Sequence, residues 1–142
     1  MNQKKLNAAL IDLAEKRIKL NLLDYADEQY DLIEDELHTA EDAFLSEFGD
    51  FLEGVLEEVH EKVCSETDVL IPTAYIAKNY VRMGENIDGE PIYEITSKEG
   101  VIVEADKYPK KTSRLVLLPA PARLVLTVGG KAKEIVWQLA NN

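Results

Sequence analysis

YADEQYDLIEDELHTAEDAFLSEFGDFLEGVLEEVHEKVC, residues 25–64, is the stretch whose reading decides the fold. Along it Tyr30, Ile33, Leu37, Ala40, Phe44, Phe48, Phe51, Val55, Val59 and Val63 recur about every 3.67 residues. That period marks one face of a straight helix. The phase holds through Gly49 and Gly54, although each glycine costs about 1 kcal/mol relative to alanine in a helix interior. The competing reading is a helical hairpin bent at Phe48-Gly49-Asp50-Phe51, but a turn would reset the phase. The spacing therefore predicts one helix from about Tyr25 to Cys64, roughly 60 Å long at 1.5 Å per residue.

The same stretch holds an extreme of charge. From Asp24 to Asp68 there are 17 Asp and Glu and one basic residue, Lys62, whereas the flanks before and after it are mildly basic. The formal net charge of the 142 residues, −11, hides this segregation. A balance this acidic argues against direct binding to nucleic acid or to an anionic membrane, since both are polyanions. The single cysteine, Cys64, excludes an intramolecular disulfide and points to a reducing, cytoplasmic setting. No apolar run approaches the ~20 residues of a membrane span, and the first residues lack the apolar core of a secretory signal.

Upstream, Leu6, Leu10, Leu13 and Arg17 or Ile18 fall at helical spacing, with Lys16, Arg17 and Lys19 in the last turns, where cations complement the helix dipole. Residues 21–24 read as a break, with Asp24 as the N-cap of the long helix. Downstream the character changes. Residues 74–83 are ambiguous between helix and strand. Asp88-Gly89 predicts a two-residue hairpin turn, and Ser97–Gly100, Pro119-Ala120-Pro121 and Gly129-Gly130 mark three further turns between short β-prone runs. Ile135, Trp137 and Leu139 alternate along the last run and read as core. The fold class is α+β: a helical segment over residues 1–66 with a long acidic second helix, then an antiparallel β-sheet or small open barrel over 67–142.

Chemistry is sparse. Glu53, Glu57, His60 and Cys64 stack at i, i+4, i+7 and i+11, a spacing compatible with a helical metal site. The row falls mostly on the polar side of the helix, so solvated side chains are the expectation. Asp35-x-x-His38 is a weaker copy. No nucleophile elbow, P-loop or dinucleotide fingerprint is present. Neither a catalytic residue, nor a metal site, nor a cofactor site is assigned, and the reading leans away from an enzyme.

Two features suggest interaction. Phe44, Phe48, Phe51, Val55 and Val59 extend beyond what a first helix of about 30 Å covers. A homodimer sharing that seam is the simplest arrangement. Lys110, Lys111 and Arg114, with Lys107, form the densest basic patch of the second half. The leading function is a non-enzymatic, self-assembling or protein-interaction module. The alternatives are a small-ligand or metal-binding protein with its site in the β domain or at the helix–sheet junction, and an acidic regulator of a basic, nucleic-acid-binding partner.

Overall fold

The computed structural model describes residues 2–139. Helix α1 spans Gln3–Asn21 and α2 spans Tyr30–Val63, followed by a single 3-10 turn at Pro72–Tyr75. Six strands follow among the described residues: β1 (Val81–Glu85), β2 (Pro91–Glu94), β3 (Val101–Val103), β4 (Ser113–Leu118), β5 (Arg123–Val128) and β6 (Lys131–Gln138). They form two antiparallel sheets, the ribbon β1-β2 and the four-stranded β3-β4-β5-β6, and neither closes into a barrel. The architecture is α+β, with a long continuous second helix.

Helix α2 runs unbroken through both glycines. A Cβ on Gly54 would meet nothing within 4 Å, and one on Gly49 would meet only Leu45 at 4.0 Å, so neither position serves a close approach. The helix begins later than the periodicity predicts, with Gln29 at the cap position. Asp24 and Asp27 instead accept the backbone N–H of Ala26 and Gln29 in local Asx turns, which hold the linker in a non-helical path.

Helix α1 lies antiparallel on the first part of α2. Arg17 reaches Glu41 at 3.0 Å, while Ala9 and Leu13 face Ala40, Phe44 and Phe48 across a shallow cleft. At 1.5 Å per residue α1 covers about 28 Å of a helix about 51 Å long. The rest is covered by the same chain. Trp137 of β6 meets Phe51 edge-on at 6.2 Å, and the 3-10 turn packs beside His60 through Tyr75. Residues 1–66 and 67–142 thus contribute to one continuous apolar core, running from Leu6 to Leu139.

The buried stripe departs from the predicted one in its second half. Leu52, Leu56 and His60 are buried there, while Phe51 and Val55 are half-buried at its margin. Successive i+4 steps from Phe48 rotate by about 40° each, and the stripe turns with them as its covering changes from α1 to the β part.

The β1-β2 turn is also longer than two residues. The N–H of Gly89 bonds the Asn86 carbonyl, Gly89 takes a φ of 79°, and the Asn86 side chain accepts from the N–H of both Asp88 and Glu90. This is a turn with a glycine bulge, set by the Asn86 side chain rather than by Asp88-Gly89 alone. At Gly129-Gly130 both residues have positive φ, as a two-residue hairpin requires. In β6 a register shift at Val136 breaks the alternation, so Ile135 turns outward, Trp137 is half-buried and only Leu139 is fully in the core.

Polar side chains of α1 tie the two layers together. Asn7 donates to Glu90 at 2.6 Å and accepts the Ala120 N–H at 2.7 Å, Asn21 donates to the Lys78 carbonyl, and Glu15 accepts the Tyr93 hydroxyl at 2.7 Å. Burial first, and Glu15 second, hold the Tyr93 phenol protonated well above its ordinary range.

Candidate functional site

The outer side of α2 is a wall of carboxylate. Asp35, Asp42, Glu53 and Glu57 are all exposed, as is Glu28 in the preceding linker. The helix carries twelve Asp and Glu, and among the described residues only Glu41 has a cation within ion-pair distance. That cation is Arg17, with the exposed ring of His38 at 3.8 Å on the other carboxylate oxygen. The lysines of α1 do not neutralise the wall: Lys16 pairs within its own helix with Asp12. Apolar periodicity forces this arrangement, because burying one face of α2 leaves most of its acidic positions in water on the other side.

The row Glu53, Glu57, His60, Cys64 does not stay together. The two glutamates are exposed, whereas His60 and Cys64 are buried, so the expectation of solvated side chains fails for both. The cause is the loop after α2, which folds back over its last turn. His60 Nδ1 lies 2.9 Å from the Thr67 carbonyl, which can only accept, so the ring proton sits on Nδ1. Nε2 lies 2.8 Å from the Tyr75 hydroxyl, which accepts the Leu70 N–H at 3.1 Å and therefore donates to the ring. Every polar atom of this post has its partner. Sequence spacing could not reveal it, since Thr67 and Tyr75 belong to no helical register with His60.

Cys64 sits beside the post with no exposed surface. Burial, with the Asp106 carboxylate adding to it, pushes the thiol up to about 11 from 9.0. Such a thiol is a poor nucleophile at neutral pH. The sign of the linkage is fixed: a folded state that keeps a proton the unfolded chain releases loses stability as pH rises between the two values. Denaturation midpoints should therefore fall from about pH 9 upward, and Cys64→Ala should flatten the part between about pH 9 and 10, before the buried tyrosines contribute. An unchanged profile in that variant would assign the alkaline loss elsewhere.

The remaining interaction residues separate in space. Phe44, Phe48 and Val59 are core, and Phe51 and Val55 are half-buried at its edge, Phe51 against Trp137 of the chain's own sheet. The seam invoked for a homodimer is thus occupied within one chain. Lys110 and Lys111 are exposed and line an open cavity of about 610 Å³, but share it with Glu66, Glu104 and Asp106. Arg114 is not part of that cavity, since its position on β4 places it on a sheet face. Tyr108 has the Lys133 ammonium over its ring at 5.6 Å. The basic patch is therefore electrostatically mixed. Among the described residues no three His, Cys, Asp or Glu side chains converge as a metal-binding group, and no helix is long and apolar enough to cross a membrane. No protein-family model, curated protein or solved structure matches this chain.

Proposed function

We propose that this chain is a non-enzymatic protein-interaction module of the cytoplasm, which meets a basic partner through the carboxylate-lined outer face of α2. The observation that carries the reading is the near-absence of cations beside the twelve carboxylates of that helix. Like charges at i, i+4, such as Asp31/Asp35, Glu53/Glu57 and Glu57/Glu61, each cost a few tenths of a kcal/mol in an isolated helix. A basic surface, of the kind that elsewhere grips nucleic-acid phosphates, would remove that cost and gain association rate by electrostatic steering. The engagement of both His60 ring nitrogens and the elevated Cys64 thiol support a binding role over catalysis.

The test is a variant with Asp35→Asn, Asp42→Asn, Glu53→Gln and Glu57→Gln. Added salt at about pH 8 should raise the melting temperature of the wild type by several degrees, and the variant should melt higher without salt and respond less to it. A lysine-rich helical peptide should bind the wild type in a salt-dependent way, and the variant about tenfold more weakly or worse. Destabilisation of the wild type by moderate salt, or equal binding by both proteins, overturns the reading.

A homodimer is a second reading, favoured by one observation. The ribbon β1-β2 holds Val81, Met83 and Ile92 exposed along its strands and Ile87 fully exposed in its turn. Such a cluster on a two-stranded ribbon marks an interaction surface. Light scattering on the same samples, giving either the chain mass of 16.0 kDa or twice it, decides between one copy and two.

A further inference from the structure

The four-stranded sheet has two faces, and only one looks at α2. Trp137 meets Phe51 of α2, and Leu124 is its cross-strand partner, so Leu124 and Leu126 point to the helix. Alternation then turns Arg123, Val125 and Thr127 to the opposite face, together with Leu118, which pairs with Arg123. On that face, between the sheet and the end of β2, lies a groove of about 360 Å³. Its walls are the apolar side chains of Tyr93, Ile95, Leu118 and Val125. The volume falls in the range of small-molecule sites.

Two polar side chains of β5, Arg123 and Thr127, line this groove. The Arg123 guanidinium is half-buried and donates from one Nη to the carbonyls of Pro119 and Pro121, at 2.7 and 3.1 Å. Among the described residues no carboxylate lies within ion-pair distance of it. Its other nitrogens remain a planar set of donors suited to a carboxylate. Thr127 is only 5% exposed and lines the same groove, where its hydroxyl can donate and accept. Lys131 adds a second cation at the rim, and the one acid there, Glu94, is exposed and beyond ion-pair distance of both cations.

We propose that this groove binds a small amphipathic organic acid. The carboxylate meets Arg123, the apolar body lies along Tyr93, Ile95, Leu118 and Val125, and a polar substituent of the body pairs with Thr127. The site is separate from the acidic face of α2, so either stands if the other fails.

Amide NMR titration of the whole protein with octanoate, octanol and ω-hydroxyoctanoate tests this. Octanoate should bind with a Kd below about 1 mM, shifting amides of residues 123–127 and 131–132, and octanol should bind at least about tenfold more weakly. Arg123→Gln should remove that preference, while Lys110→Gln with Lys111→Gln should leave it intact. Arg123 also steadies the Pro119–Pro121 turn, so Thr127→Val, which preserves shape, provides the second variant. It should weaken ω-hydroxyoctanoate severalfold and leave octanoate unchanged. Equal binding of octanoate and octanol, shifts confined to other residues, or no binding by about 5 mM overturns the proposal.

Discussion

Gly100→Ala is expected to destabilise the protein by about 3–5 kcal/mol, whereas Gly129→Ala should cost only about 1 kcal/mol. Both glycines have positive φ, 92° and 62°, so each substitution carries the strain of an L side chain in that region. The difference lies in what the new methyl meets. At Gly129 nothing stands within 4 Å. At Gly100 the methyl would collide with the carbonyl oxygen of Leu115, and would approach the Leu115 carbonyl carbon and Val116 Cβ to 2.9 Å. Leu115 is fully buried in β4, a strand paired on both edges, so its backbone cannot retreat without disturbing β3 and β5. Urea denaturation of the two variants beside the wild type gives the comparison. Similar losses at both positions would show that β4 yields, and that the packing of β3 on β4 is looser than the close approach implies.

His60→Ala is expected to cost about 3–4 kcal/mol, and Tyr75→Phe about 2 kcal/mol. The alanine leaves a cavity against the Tyr75 ring and deprives both the Thr67 carbonyl and the Tyr75 hydroxyl of a partner. The phenylalanine keeps the ring but strands the His60 Nε2 and the Leu70 N–H. Once His60 is gone, the loss of the hydroxyl removes no further bond to the ring. The double variant should therefore fall short of the sum by about 1–2 kcal/mol. That coupling is the mark of a post holding residues 64–75 onto the end of α2. Additive losses would mean that the two side chains act independently, and would reopen a different role for a histidine placed so deep.

Apolar periodicity determined that the largest element is one long helix, though not where it starts. Residues at a 3.6 period admit one buried side, and most carboxylates of α2 follow to the other, Glu41 being held at the margin by Arg17. The Gly129-Gly130 hairpin was equally legible, because two consecutive positive φ values leave few residue choices other than glycine. Where apolar residues stood side by side, as in Phe51-Leu52 and Val55-Leu56, periodicity had no basis for choosing between them. The choice came from α1 and β6 approaching α2 from different sides.

The same holds for the sites. His60 read as solvated because its burial depends on Thr67 and Tyr75, brought over it by a loop with no period. The strands were legible one by one, but their division into a ribbon and a four-stranded sheet was not. Strand pairing is non-local, and it changes at a turn where Lys98 and Gly100 take positive φ. Arg123 and Thr127 carry no local signal at all. They came to line one groove only because the opposite face of β5 is claimed by α2. Sequence alone determined that most carboxylates of the long helix meet water. Tertiary structure decided what covers the other side, because covering is a contact between segments far apart in the chain.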